Sequence, residues 1–160
     1  MALVSDDSPA RVIVVEDFEP FRRMLSSSLA RIPGLRVIAE VSDGIEAVRQ
    51  GQQLQPDLIL LDIGLPMLNG IEAARQIRRL SPQSKILFVS QESDVDVVQE
   101  ALSLGVGYVV KTRVAQDLLR AVEAVRRGGQ FVSTGLLGEQ VTQSVNLQLP
   151  NSLSPQSADD

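Results

Sequence analysis

Asp57-Leu58-Ile59-Leu60-Leu61-Asp62, followed by Ile63-Gly64-Leu65-Pro66-Met67-Leu68-Asn69-Gly70, is the stretch that decides the fold. Four consecutive aliphatic residues between two acids have the length of a strand. Their unbroken apolarity fits a strand covered on both faces, as in a parallel sheet. Pro66 and Gly70 break the segment after Asp62. Asp62 therefore closes the strand at its carboxyl end, where open α/β sheets place their ligands. A second apolar run, Val12-Ile13-Val14-Val15, ends the same way, in Glu16-Asp17.

Outward from these two runs the chain alternates. Strand-length apolar segments fall at Arg11–Val15, Leu35–Val41, Asp57–Leu61, Lys85–Val89 and Tyr108–Val110. Between and after them lie segments of helical period. Glu19–Arg31 carries Phe21, Leu25 and Leu29, and Gly44–Leu54 carries Ile45 and Val48. Ile71–Leu80 ends at Ser81-Pro82, where proline forbids continuation. Asp94–Leu104 and Val114–Arg127 complete the series, the latter stopped by Gly128-Gly129. Such alternation predicts right-handed crossovers and a parallel sheet with helices on both faces, a doubly wound α/β domain. The expected domain spans residues 9–131. Residues 132–160 are expected to form an extension, with a short helix at Leu136–Val145 and then a Ser/Gln/Asn/Pro-rich flexible tail.

Composition removes several chemistries. The chain of 160 residues has no Cys and no His, so it has no disulfide, thiolate nucleophile, Cys/His zinc site or histidine base. Any metal is held by oxygen and is of the hard kind, Mg2+, Ca2+ or Mn2+. A formal charge of −5 argues against direct nucleic-acid binding, which relies on Lys and Arg. No apolar run approaches the ~20 residues of a membrane span, and no secretory pattern opens the chain. A cytoplasmic protein without membrane contact is the expectation.

If the two acidic strand ends are neighbours, Glu16, Asp17 and Asp62 share one pocket. Their mutual repulsion then requires raised pKa values or a cation. Mg2+ suits a few carboxylates and leaves coordination positions for phosphate oxygens. A carboxylate beside a phosphorus atom can act as nucleophile and form an acyl phosphate. Ser90 and Lys111, at the ends of the fourth and fifth strands, would share that rim. Lys111 could pair with Asp62 in the empty site and with a phosphoryl oxygen in the loaded one, while Ser90 could donate a hydroxyl hydrogen bond.

With these residues the chain resembles the receiver domain of bacterial two-component response regulators, and among them the NarL-type receivers. Asp62-Ile63-Gly64-Leu65-Pro66-Met67-Leu68-Asn69-Gly70 is similar to the family's D-x-x-M/L-P-x-x-x-G loop. Leu104-Gly105-Val106-Gly107-Tyr108-Val109-Val110-Lys111 is similar to its G-A-x-G-Y-x-x-K segment. The resemblance implies a five-stranded, flavodoxin-like sheet of order 2-1-3-4-5. It implies that Asp62 is the phospho-acceptor and that Glu16, Asp17 and Asp62 hold Mg2+ with the backbone carbonyl of Gly64. It further implies that Lys111 binds phosphate and that Ser90 and Tyr108 are the switch residues. The implied donor is a histidine kinase. The implied output is a downstream protein or a second copy, bound through the fourth helix, fifth strand and fifth helix. Two positions depart from the pattern. Thr112 stands where many receivers have proline after a cis peptide, and Gln91 stands where a small residue is usual.

Each residue taken singly has a plainer reading. A strand-end Asp is commonly a turn or cap residue, Glu16-Asp17 could be a solvated loop, and a lone Lys is usually a surface side chain. Ser90 alone could form a local turn, and Tyr108 alone could be core. The combination at successive strand ends favours the phosphorylatable receiver, with no turnover beyond its own phosphorylation and dephosphorylation. Two alternatives stand beside it: an interaction module that works without phosphorylation, and the receiver fragment of a DNA-binding transcriptional regulator. The 27 residues after Ser133 are too few for a DNA-binding domain. A flavin mononucleotide carrier of the same fold is disfavoured, because Glu16-Asp17 would repel its phosphate and no Trp is present to stack on the ring.

Overall fold

Apolar residues alternate sides along every central strand. Ile13, Val15, Ile59, Leu61, Ile86, Phe88 and Tyr108 enter one buried cluster, and Val12, Val14, Leu58, Leu60, Leu87, Val89 and Val109 enter another. Each strand thus needs cover on two faces, which explains the unbroken aliphatic runs. The structure, a computed structural model, describes residues 8–133.

In chain order the elements are β1 (Ala10–Val15), α1 (Glu19–Ala30), β2 (Leu35–Val41), α2 (Gly44–Leu54) and β3 (Leu58–Leu61). Next come α3 (Gly70–Leu80), β4 (Lys85–Ser90), α4 (Val95–Leu104), β5 (Gly107–Val110), a 3-10 turn (Lys111–Arg113), α5 (Val114–Arg126) and β6 (Phe131–Val132). Helices α2, α3 and α4 cover the first cluster through Ala47, Ile77 and Val98 among others. Helices α1 and α5 cover the second through Leu25, Leu29, Leu118 and Val122.

All strand pairs are parallel, in the order β2-β1-β3-β4-β5-β6. The expected order 2-1-3-4-5 holds for the first five. The sixth strand is an addition: Phe131 pairs with Gly107 and Val132 with Tyr108. Two apolar residues after Arg127-Gly128-Gly129-Gln130 fall below the length at which a run reads as a strand. The expected boundary at residue 131 therefore falls inside β6. The expected helix at Leu136–Val145 lies outside the described residues.

Register fixes what meets at the carboxyl rim. Val15 pairs with Leu61, Leu61 with Phe88, and Ser90 with Val110. The residues just past these strand ends, Glu16, Asp62 and Lys111, are thus delivered side by side. Among the described residues every peptide bond is trans, that between Lys111 and Thr112 included, and no helix is long and apolar enough to cross a membrane.

Candidate functional site

The strand ends are held in place by backbone. Asp62 N–H donates to the Val15 carbonyl at 3.2 Å and Glu16 N–H to that of Val41 at 2.9 Å, so hydrogen bonding continues beyond the paired residues. The β3–α3 loop folds back over Asp62. Gly70 is tolerated there because any Cβ would stand 2.0 Å from the Asp62 carbonyl oxygen. Its N–H donates to the Ile63 carbonyl at 2.7 Å, and Asn69 caps α3 by accepting from Glu72 N–H at 3.0 Å.

Glu16 and Asp62 are buried, at 1% and 5% exposure, whereas Asp17 is exposed. Glu16, Asp17 and Asp62 can each present a carboxylate oxygen within 4.8 Å of the others. Lys111 reaches between two of them, with Nζ 3.0 Å from Asp62 Oδ2 and 2.8 Å from Glu16 Oε1. The Asp62 contact is a hydrogen bond. The Glu16 contact is a close ion pair, and among the described residues the Lys111 ammonium is the one group that meets this buried Oε1. The other Glu16 oxygen accepts from Phe18 N–H at 3.0 Å.

Burial pushes the Glu16 carboxyl above the usual range, outweighing the opposing pull of Lys111 and the Phe18 N–H. Burial alone would lower Lys111, but its two carboxylate partners overturn that and hold the ammonium above its ordinary value. Lys111 is therefore a firm cation, and it also faces the Phe21 ring with Nζ 4.9 Å from the centroid.

Ser90, buried at the end of β4, accepts from Glu92 N–H at 3.2 Å through its hydroxyl oxygen. Tyr108 is fully buried against Phe88, and its hydroxyl donates to the Glu92 carbonyl at 2.7 Å. Burial holds the phenol well above its usual range despite the lowering influence of Ser90, so it remains a neutral donor. The backbone of Glu92 thus joins Ser90 to Tyr108.

A cleft of about 880 Å³ contains Glu16, Asp17, Asp62, Ser90 and Lys111 and also includes Gly64. All the expected site residues except Tyr108 line it, and Tyr108 lies behind it on β5. Gly64 N–H is 3.4 Å from Asp62 Oδ1. Phe18 and Phe21 form an apolar wall. Gln91 is exposed at the cleft's edge and Thr112 also lines it.

The donor set tests whether Mg2+ fits. Three carboxylates face one ammonium. Among the described residues the buried Glu16 Oε1 is met by the Lys111 ammonium alone, and every ligand atom offered is oxygen. That surplus of hard negative charge fits a hard divalent cation.

Sequence reasoning missed three contributors. Glu92 acts through its N–H and carbonyl, which leave no side-chain signature. Phe21 read only as a core position of the first helix. Gly70 read as a breaker, although its function is to let the loop approach Asp62.

Comparison with known proteins points to one family. The family model described as the response regulator receiver domain matches residues 12–123. A transcriptional regulatory protein, DegU of Brevibacillus brevis, is 33% identical over 128 residues, covering 79% of this chain and 54% of its own. The nitrate/nitrite response regulator NarL of Escherichia coli is 30% identical over 134 residues, covering 83% of this chain and 62% of its own. The chain thus spans somewhat over half the length of these curated relatives. A crystal structure of a LuxR-family two-component response regulator from Aurantimonas superposes with a TM-score of 0.77 at 29% identity, covering 86% of this chain and 98% of that one. The expected exclusion of nucleic acid finds no support here, since DegU is named a transcriptional regulator.

Proposed function

The chain belongs to the response regulator receiver domain family, and from that premise we propose that Asp62 accepts a phosphoryl group from a histidine kinase. One observation carries the reading: the Lys111 ammonium bridges buried Glu16 and Asp62 at 2.8 and 3.0 Å on the rim that also bears Ser90. In the transfer, an Asp62 carboxylate oxygen forms a bond to phosphorus as the phosphorus–nitrogen bond to the kinase histidine breaks. The product is an acyl phosphate on Asp62 and a free imidazole on the kinase.

Such a reaction asks for position and charge neutralisation more than for covalent assistance. Lys111 supplies one fixed positive charge at the acceptor oxygen. Glu16, Asp17 and Asp62, with the Gly64 carbonyl, would hold Mg2+, which when bound neutralises charge on the phosphoryl oxygens. The Ser90 hydroxyl now only accepts a hydrogen bond, so its proton can be donated to a phosphoryl oxygen. Drawing Ser90 toward the phosphoryl group pulls on Glu92 N–H, and the Glu92 carbonyl pulls on Tyr108. The switch then reaches the α4–β5–α5 face, where a downstream protein or a second copy would bind. A small bias suffices where two states lie within a few kcal/mol of each other.

The test is intact-mass spectrometry after incubation with acetyl phosphate. A Mg2+-dependent gain of one phosphoryl group, stable to acid and labile to base, is expected. Asp62→Asn should abolish it, and retention in that variant would overturn the assignment.

A further inference from the structure

Asp117 is a buried carboxylate, 1% exposed, that the proposed chemistry does not use. It lies in the first turn of α5 and gathers two elements. Arg113 donates to it twice, Nε to Oδ2 at 2.9 Å and Nη2 to Oδ1 at 3.3 Å. The hydroxyl of Ser133, itself 2% exposed, donates to Oδ2 at 2.8 Å. Arg120 stands farther off, at 3.9 Å from Oδ1. Burial alone would raise the Asp117 carboxyl, but Arg113 and Ser133 more than offset it, and the group stays an anion below its usual range.

Ser133 does a second thing with the same oxygen. Its Oγ accepts from Val110 N–H at 3.1 Å, and its own N–H donates to the Tyr108 carbonyl at 2.9 Å. Pairing of β5 with β6 covers only Gly107 and Tyr108, so Val110 lies past its end. The Ser133 hydroxyl takes the place of the next strand for that amide. Neither the Lys111–Arg113 turn nor the start of α5 has a side-chain cap. The Val114 N–H closes the turn by donating to the Lys111 carbonyl, and the Arg113–Asp117 pair adds the side-chain tie at its far end.

Lys111 lies between the two fastened points, Val110 and Arg113. We propose that Asp117 and Ser133 are positioning residues for Lys111, acting through Arg113 and Val110 to aim its ammonium at Asp62. The inference rests on the role assigned to Lys111 above. It adds that this aim is set from behind the cleft, by residues that touch no reactant.

The chain has only two lysines, Lys85 and Lys111, so side-chain NMR of lysine-labelled protein reads Lys111 directly with Lys85 as internal reference. Ser133→Thr keeps the hydroxyl and adds one methyl, and Ser133→Val has the shape of that threonine with a methyl in place of the hydroxyl, so the two variants differ in the hydroxyl alone. The expected result is a displaced Lys111 signal in Ser133→Val, with Ser133→Thr matching the wild type and Lys85 unmoved in both. The initial rate of phosphorylation by acetyl phosphate should fall about tenfold in Ser133→Val and stay within about twofold in Ser133→Thr. Asp117→Asn should behave as Ser133→Val does. A Lys111 signal in Ser133→Val superposable on that of the wild type overturns the inference. A wild-type protein that takes up no phosphoryl group overturns the proposed function instead, and the lysine signal still decides the positioning.

Discussion

Lys85 and Lys111 stand at opposite ends of one sheet and are treated in opposite ways. Lys85 opens β4 at the amino rim and donates to the Val125 carbonyl in the last turn of α5 at 3.1 Å, a favourable place for a cation. Its neighbours on that rim are handled alike: Arg78 donates to the Leu104 carbonyl and Arg11 to that of Gln55, each at 3.0 Å. At the carboxyl rim Lys111 meets Glu16 and Asp62, with Asp17 beside them. A cation bound to neutral carbonyls at a helix end is satisfied and leaves nothing over. A cation outnumbered by carboxylates leaves unspent attraction for a second cation, and through it for an anionic ligand. The fold supports both rims equally, so the difference between structural and chemical lysine lies in the partners alone.

The sharpest way to break this contrast is to remove each lysine in turn. Lys111→Met is expected to slow phosphorylation by acetyl phosphate about a hundredfold or more, the loss typical of a preorganised charge stabiliser. Lys85→Met should leave the rate within about twofold. Equal losses, measured by intact mass against time in Mg2+, would mean that Lys111 contributes fold and not chemistry.

Glycine substitution compares two points of the same loop. Gly70→Ala forces a Cβ to within 2.0 Å of the Asp62 carbonyl oxygen, so backbone must shift. A loss of about 1–3 kcal/mol in urea unfolding is expected, as for an overpacked core. Gly64→Ala meets nothing within 4 Å and should change stability by under about 0.5 kcal/mol. A small effect at Gly70 would show that the loop is not held against Asp62.

The acids, Ser90 and Lys111 were legible in the sequence because each ends an apolar run, and a doubly wound sheet brings such ends to one rim. Among the described residues, five of six strands were legible for the same reason. β6 was not, because two apolar residues carry no period. Asp117 and Ser133 carry no signal as a pair, since they lie on different elements and their meeting depends on β6 pairing beside β5. The joint through Glu92 carries no sequence signal, since a backbone joint is independent of the side chain that bears it.

A smaller effect tests that joint. Tyr108→Phe removes the hydroxyl that donates to the Glu92 carbonyl while leaving the ring packed on Phe88. The expected cost is about 0.5–1.5 kcal/mol in thermal or urea unfolding, the net worth of one hydrogen bond. The backbone amide of Glu92 should then shift in NMR spectra, and that of Ser90 with it. An unperturbed Ser90 would separate the two halves of the joint.

The smallest expected effect concerns Asp117, which adopts at the carboxyl rim the saturated style of the amino rim: one carboxylate with Arg113 and Ser133 around it. Its pKa in the fold is lowered from an ordinary 3.8. The unfolded chain therefore binds this proton more readily, and the stabilisation is present above about pH 3.8 and lost as pH falls through the lower folded value. Unfolding free energy measured against pH should decline over that acid window in the wild type. In Asp117→Asn the decline should be shallower there, while at neutral pH the two profiles run parallel. Profiles that stay parallel through the acid window would mean that Asp117 gains as little from its partners as an exposed carboxylate does. The carboxyl rim would then hold Lys111 by its acids and Phe21 alone.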